Sequence, residues 1–397
     1  MRSDRKFPSA AAHVGWALLG VALMGVITWE WWLLLGTSHS TGDFTAFYSI
    51  GHYLVRHRLG LLPHLYAYHI QVAAERLYGL VPRGGTLTLP FVNPPTAVSP
   101  FLPLAIFAQG QAYVIWDVAT FTGFAAALIW LAGTWRLLTP RGVIVLACLA
   151  SFPALINLAE GDLDFLVAIG MVAVVQARQR SWRAGGPIGA ALVSMKPQTL
   201  LLWVVPALRT VRLRVVREVL GTLAFLAVAS AAVFGPVGVR QMVARVISVP
   251  EQPREHVTLL GLLDTLLGKG PWAGALAVAA FGILALGLWL MWSRYPPESE
   301  LECGYMAAAV TCASLAAAPY DLLQGLVVLA VPAVFVASVR QSRGTSLLPV
   351  LAAVAAVSAC ALAGFAGYIP LPATAACLLV LAATSAAAWR REALARG

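Results

Sequence analysis

Long runs of apolar positions, separated by short polar or basic breaks, dominate this chain. The runs do not alternate between apolar and polar residues, whereas the strands of a transmembrane β-barrel read as about ten alternating residues. Each run instead has the length of roughly 17 to 25 residues that an α-helix needs to cross a bilayer. Breaks at Gly, Pro and basic clusters predict spans near residues 14–35, 111–135, 142–158, 161–177, 216–235, 272–293, 303–318, 320–338, 346–366 and 371–389.

Residues 186–208 fit this pattern less well, because Lys196 and Pro197 interrupt their apolar stretch. The stretch is either two short helices that meet at mid-membrane or at the outer surface, or one kinked helix. We therefore expect an all-α polytopic integral membrane protein, a bundle of about 10–12 transmembrane helices. A single domain is expected to cover residues 1–397.

The composition agrees with a membrane location. Hydrophobic residues make up 60% of the chain and charged residues 11%, and the mean hydropathy is +0.80. Soluble domains carry about 25% charged residues, so a soluble globular class is excluded. The net charge of +10 comes from short basic clusters between the apolar runs. Because these clusters do not form one basic face, no nucleic-acid partner is expected.

The basic clusters also predict an orientation. Cytoplasmic loops are enriched in Lys and Arg, and placing Arg2, Arg5 and Lys6 inside puts the later clusters on the same side. Both termini are then cytoplasmic, and the first span is a retained helix because it lacks a small-residue cleavage site. The non-spanning segments 37–96 and 237–270 lie outside. Loops of this length are uncommon unless functional, so we expect the functional site on the external or periplasmic side.

Asp43 is the most distinctive candidate residue. It lies in Thr41–Tyr48, directly after the first span, where an acidic residue meets the outer interface. A partly desolvated Asp can have a raised pKa and act as a general base. An Asp before an aromatic run is also a common start signal of a helix. Both interpretations are open from the sequence.

A second group of polar residues lies between later spans. The turn at residues 160–164 contains Glu160, Asp162 and Asp164, and it is either a solvated hairpin loop or a weak candidate for a magnesium site. Lys196 is flanked by apolar residues, where an ammonium is costly and a functional role is the default hypothesis. It suits an anionic phosphate group, although a lysine can also extend to the interface.

The break at residues 318–321 brings Tyr320 and Asp321 to the outer side, where they either face the same cavity or form a capped turn. Phe91–Pro95, with its double proline, is either a rigid pocket wall or a helix boundary. Five histidines lie in segment 37–96 without the spacing of an HExxH helix, and the five cysteines show no metal-ligand spacing. These patterns favour no metal site.

The order of these features resembles glycosyltransferase family 87, a branch of the GT-C superfamily of polytopic sugar transferases. Gly42-Asp43-Phe44 with Phe47-Tyr48 resembles the segment that follows the first helix in this family, and Leu65-Tyr66 is similar to its downstream Leu-Tyr. Phe91–Pro95, Glu160-Gly161-Asp162, Ser194–Pro197 and Pro319-Tyr320 resemble later family elements. Asn93 and Asp162 depart from the family residues, which are Tyr and Gln.

The resemblance implies a GT-C-type bundle with a large first outer loop in a bacterial inner membrane. It also implies inverting transfer of mannose or another sugar from a polyprenyl-phosphate donor to a lipid or glycan acceptor on the outer face. Asp43 would be the catalytic base, and Lys196, Tyr48, Asp162, Tyr320 and Asp321 would contact the donor and its phosphate. Membrane lipids are the further partners, and neither a cofactor nor a metal is expected.

A transporter or flippase of a lipid-linked sugar is the alternative function. It would also be polytopic, basic inside and broken at Lys196. Transporters are commonly built from internal repeats with discontinuous helices at corresponding positions. Here the break at Lys196 and the large first outer loop have no visible counterpart in another part of the chain, which favours an enzyme.

Overall fold

A computed structural model describes residues 10–36, 42–56, 64–77, 91–180, 182–203, 205, 213–248, 257–268, 270–318, 323–368, 370 and 373–395. Within these ranges the regular structure is entirely helical, in agreement with the expected all-α class. The helices are α1 (Ala10–Gly36), α2 (Asp43–Arg56), α3 (Tyr68–Arg76), α4 (Phe101–Leu104), α5 (Gln109–Ala132), α6 (Pro140–Leu149), α7 (Phe152–Glu160), α8 (Asp164–Arg180), α9 (Gly185–Val193), α10 (Leu213–Ser248), α11 (Leu259–Leu267), α12 (Pro271–Arg294), α13 (Glu300–Ala317), α14 (Ala330–Ser342), α15 (Leu348–Phe365) and α16 (Thr374–Leu394).

The described residues also contain three 3-10 helices, and each of them lies at a break between two α-helices. They are Pro95–Val98, Pro197–Trp203 and Leu323–Leu329. The interrupted stretch 186–208 therefore contains α9 and a separate 3-10 helix, with Lys196 at the break between them. Of the two forms that the sequence left open, the structure has two short helices.

Six helices of the described chain are long and apolar enough to cross a membrane, which makes this a polytopic membrane protein. They are Ala11–Leu34, Gln109–Ala132, Val219–Ala244, Pro271–Arg294, Leu323–Ser342 and Leu348–Phe365. The pair α6 and α7, bent by 43°, would be a seventh.

This number is below the expected ten to twelve for physical reasons. The apolar part of α8 is short. The expected spans 303–318 and 371–389 correspond to α13 and α16, and both of these helices contain charged residues. Helix α13 begins with Glu300 and Glu302, and α16 contains Arg390 and Arg391 in its last part.

The second segment expected to be non-spanning, 237–270, differs from the expectation. Helix α10 continues through Ser248, and α11 forms later in the same segment. A Gly235-Pro236 pair is typical of a helix end, but here the chain forms a kink and the helix resumes after it. Gly235 has φ 61° and ψ 177°, and Pro236 then begins the continued helix, where its missing N–H is tolerated.

Buried side chains form three groups. The largest lies between α5, α6, α8, the 3-10 helix Leu323–Leu329 and α14. A second joins α2 to the chain around α4 and the start of α5, and it is rich in aromatic rings. The third lies between α12, α13 and α16. The candidate site lies where the second group meets the turn between α7 and α8.

Candidate active site

Asp43 is the first residue of α2, and its carboxylate is bound by a distant part of the chain. Gln324 Nε2, from the 3-10 helix Leu323–Leu329, donates a hydrogen bond of 2.9 Å to Asp43 Oδ2. Asp43 is thus more than a helix start signal, since its side chain contacts an element 281 residues later. Sequence reasoning missed Gln324, although an amide near the start of an apolar run is a signal of a buried polar contact.

The electrostatic surroundings of Asp43 favour its protonated form. Burial raises its pKa, and the charge of Asp162 and then that of Glu160 raise it further. The charge of Lys196 and the hydrogen bond from Gln324 act in the opposite direction. The balance raises the pKa of Asp43 to about 8. A carboxylate with a pKa in this range is suited to accept a proton near neutral pH.

Lys196, Asp162 and Asp164 form a buried ion cluster. Lys196 Nζ lies 2.7 Å from Asp162 Oδ2 and 2.6 Å from Asp164 Oδ2. Lys196 is 6% exposed, Asp162 2% and Asp164 0%. The Lys196 side chain therefore points into the protein and does not extend to the interface.

The acidic turn is accordingly a buried structure, and the solvated-loop interpretation is wrong. Burial alone would raise the pKa of Asp162, but the Lys196 charge and hydrogen bond, with the Leu163 N–H at 2.6 Å, hold it below its usual range. The described residues contain no group of three or more His, Cys, Asp and Glu side chains that could hold a metal ion. The Lys196 ammonium instead bridges the two aspartates.

Two glycines let α2 and the α7–α8 turn come this close. Gly161 ends α7 with φ 63°, and a Cβ there would lie 2.6 Å from the Phe44 Cβ. A Cβ at Gly42 would overlap the carboxylate of Glu160. Only residues without a side chain allow this approach. The Gly42-Asp43 and Glu160-Gly161-Asp162 sequences thus fit each other, and their contact places Asp43 beside Asp162.

Next to Asp43, aromatic side chains pack together in a group that we call the aromatic layer. Phe44 packs against Tyr48, Phe101 and Tyr113, with ring centroids 5.2 to 5.9 Å apart. Tyr48 is 1% exposed, and its hydroxyl donates a hydrogen bond of 2.6 Å to the Phe107 carbonyl. Trp116 Nε1 donates to the Gly161 carbonyl at 2.8 Å and fixes the turn. Tyr48 therefore belongs to the aromatic layer.

The double-proline segment packs against α3 and the loop before it. Tyr66 donates a hydrogen bond of 2.7 Å to the Asn93 carbonyl, and Gln71 donates one of 3.0 Å to the Phe91 carbonyl. Pro95 then begins a 3-10 helix. These contacts hold the segment in a fixed extended form beside the aromatic layer.

The structure brings together three of the residues selected from the sequence, Asp43, Asp162 and Lys196, whereas the Tyr48 hydroxyl is bound to the Phe107 carbonyl within the neighbouring aromatic layer. Tyr320 and Asp321 lie outside the described residues. Glu160, which the sequence analysis noted only as part of the acidic turn, is a neighbour of Asp43. The arrangement is a carboxylate of raised pKa next to a buried lysine–aspartate cluster, at helix ends of a polytopic membrane protein.

Comparison with known protein families shows to which family the chain belongs. The model of glycosyltransferase family 87 matches residues 91–319, which is more than half of the chain, and the chain belongs to this family. It is therefore a membrane glycosyltransferase. The matched range contains Asp162 and Lys196, whereas Asp43 precedes it. Comparisons with curated proteins and with solved structures found no match.

Proposed function

We propose that this glycosyltransferase moves a hexose or pentose from a polyprenyl-phosphate donor to a hydroxyl of a lipid or glycan acceptor, with inversion, at the outer face of the inner membrane. The observation that carries the proposal is the Asp43 carboxylate, bound by Gln324 and held at a pKa of about 8. Sugar transfer with inversion needs one base opposite the leaving group, and the Asp43 carboxylate is the proposed base. Both termini are expected in the cytoplasm, by the charge asymmetry of the loops.

In the proposed reaction, Asp43 accepts the proton of the acceptor hydroxyl. The acceptor oxygen then forms a bond to the anomeric carbon, and the bond from that carbon to the phosphate oxygen breaks. The phosphate leaves with the electron pair, and the configuration at the anomeric carbon inverts. General-base catalysis of this kind contributes about 10² to 10⁴ in rate.

Lys196 is the proposed cation for the donor phosphate. In the structure its ammonium contacts Asp162 and Asp164, so donor binding would transfer a hydrogen bond from a carboxylate to the phosphate. Asp162 would then control how strongly Lys196 binds the donor. Tyr48 would support this site from the aromatic layer, and Tyr320 and Asp321 remain proposed donor contacts from the sequence.

Transfer assays with Asp43→Asn test the base directly. Purified wild type and variant in nanodiscs receive a radiolabelled polyprenyl-phosphate sugar and a membrane lipid extract as acceptor. We expect Asp43→Asn to lose at least a hundredfold in rate, since an amide cannot accept the proton. Asp264→Asn, in α11, is the matched control and should keep its activity. A folded Asp43→Asn variant with near-normal transfer would contradict the assignment of Asp43.

The transporter alternative is less favoured, because the family assignment is to glycosyltransferases. The same nanodisc preparation discriminates the two functions. A covalent sugar–acceptor product supports transfer. Movement of the labelled donor across proteoliposomes without any covalent product would support the transporter.

A further inference from the structure

A large cavity lies between α13, α14, α15 and α16. Its volume is about 920 Å³, near the upper end of the range of about 300–1,000 Å³ for ligand pockets. Most of its lining is apolar, from Leu326 and Ala333 on one side to Ala353 and Val357 on the other. Pro349 and Ala352 are exposed as well as lining, so the cavity opens to the surface of the bundle.

The cavity is lined by the 3-10 helix Leu323–Leu329 and by α14. Its lining begins at Leu326, two residues after Gln324 at the candidate active site, and continues along one face to Arg340. Fourteen residues of helix correspond to roughly 20 Å, at about 1.5 Å per residue. The polar end of the cavity is therefore on the opposite side of the bundle from Asp43.

Charged groups are concentrated at that far end. Arg340 donates hydrogen bonds to Tyr305 Oη at 2.6 Å and to the Ser346 carbonyl at 2.7 Å, which uses two of its five N–H donors. Arg391 lines the same end and is exposed. Glu392 also lies there, but its carboxylate is bound by Arg343 at 3.1 Å. The end of the cavity thus has an excess of positive charge.

We propose that this cavity binds an anionic phospholipid of the membrane, with its phosphate at Arg340 and Arg391 and its acyl chains along α14 and α15. Guanidinium groups match phosphate oxygens in charge and geometry. The apolar lining suits acyl chains. The charge asymmetry of the loops predicts that Arg340 lies on the cytoplasmic side, where anionic lipids attract basic groups.

The occupant is a phospholipid and not the sugar donor, because the phosphate of a donor must lie beside Asp43. A donor whose phosphate contacted Arg340 and Arg391 would have that phosphate roughly 20 Å along the helix from the Asp43 end. This exclusion of the donor rests on the role proposed for Asp43, whereas the retention of lipid can be measured independently of sugar transfer.

Lipid retention tests the site. Full-length protein is delipidated in detergent, mixed with phosphatidylglycerol or with phosphatidylcholine of the same chains, and the bound lipid is counted by native mass spectrometry. We expect wild type to retain at least about fivefold more phosphatidylglycerol. Arg391→Gln should reduce the retained phosphatidylglycerol to the phosphatidylcholine level. Arg391 is exposed, so this variant should fold. The matched control is Arg390→Gln, whose guanidinium lies over the Tyr295 ring outside the cavity.

A second pair of variants tests the apolar part without a change of charge. Ala353→Phe fills the cavity and should also abolish the retention, whereas Ala355→Phe on the exposed face of α15 should preserve it. Equal retention of both lipids by wild type, or unchanged retention in both Arg391→Gln and Ala353→Phe, would overturn the proposal. Displacement of the bound phosphatidylglycerol by stoichiometric undecaprenyl phosphate would also overturn it, since the cavity would then be a donor site.

Discussion

Asp43 makes the pH dependence of sugar transfer predictable at the scale of one residue. A base must be deprotonated to act, and the pKa of Asp43 is raised to about 8. We expect the transfer rate, measured as kcat/KM, to rise with pH until about pH 8 and then level off. An ascending limb that ends below about pH 6 would contradict this assignment.

The same shift has a consequence for stability. A carboxyl group whose pKa is higher in the folded state stabilises the fold in its protonated form. The contribution of Asp43 is therefore complete below its ordinary pKa, near 3.8, and is lost as the pH rises through about 8. Thermal unfolding in detergent from pH 5 to 9 should show a smaller loss of stability for Asp43→Asn than for wild type. A loss of the same size in both proteins would argue against the raised pKa.

Gln324 is expected to position Asp43. Its hydrogen bond lowers the pKa of Asp43, so Gln324→Leu should shift the ascending limb of the pH–rate profile to higher pH and reduce the rate at pH 7. Gln109→Leu is the matched control, because Gln109 also donates a hydrogen bond to α2, but to the Thr45 hydroxyl Oγ1. Equal profiles for wild type and Gln324→Leu would show that this bond does not tune the base.

Lys196 is expected to be essential for folding as well as for function. Lys196→Met leaves Asp162 and Asp164 buried without their counter-ion, and the loss of one partner of a buried ion pair costs about 3–5 kcal/mol. The combined variant Lys196→Met, Asp162→Asn, Asp164→Asn removes the charges together and should recover most of the thermal stability without recovering transfer. A Lys196→Met variant as stable as wild type would contradict the buried cluster.

The sequence revealed the candidate residues but not their partners. Asp43, Asp162 and Lys196 were recognisable because ionisable groups among apolar runs are costly. Their contacts were not, because Lys196 and Asp162 lie 34 residues apart and Asp43 and Gln324 lie 281 apart. Such pairs depend on helix packing, which hydropathy does not encode.

At the scale of elements, the turn between α7 and α8 depends on Gly161. Gly161→Ala should cost about 1–2 kcal/mol for its left-handed backbone and about 1–3 kcal/mol more for overlap with Phe44. Gly133, with φ 64° and open space around it, is the matched control for the backbone part. We expect a larger fall in Tm for Gly161→Ala than for Gly133→Ala. Equal falls would mean that α2 can move away from the turn without cost.

Hydropathy alone predicted the bounds of four membrane spans. The expected spans 14–35, 111–135, 272–293 and 346–366 correspond to α1, α5, α12 and α15 within a few residues. The segment 37–96 was harder, because α2 has only 14 residues and contains polar side chains such as Thr45, Ser49 and His52 among its apolar ones. For α2, the sequence indicated the helix start at Asp43 as one of two interpretations, but not the helix end at Arg56.

At the scale of the whole molecule, the orientation in the membrane is testable by cysteine labelling. In a background without the five native cysteines, Ser342→Cys should react with an impermeant maleimide only after the cells are opened. Gly270→Cys should react in intact cells. Both residues are exposed at helix ends, which makes them a matched pair. The reverse pattern would place the Asp43 site on the cytoplasmic side.

In the proposed reaction, the acidic groups around Asp43 couple its proton to the departing phosphate. Asp43 interacts with Asp162, Glu160 and the ammonium of Lys196, and Glu160 also interacts with Asp162. An anionic phosphate in this site disfavours a further negative charge, so a proton held by Asp43 is retained while the phosphate is present. When the phosphate diffuses away, its contribution to the pKa is lost, and Asp43 returns to a pKa of about 8. In this proposal, product release therefore restores the acid–base properties of the free enzyme for its next turnover.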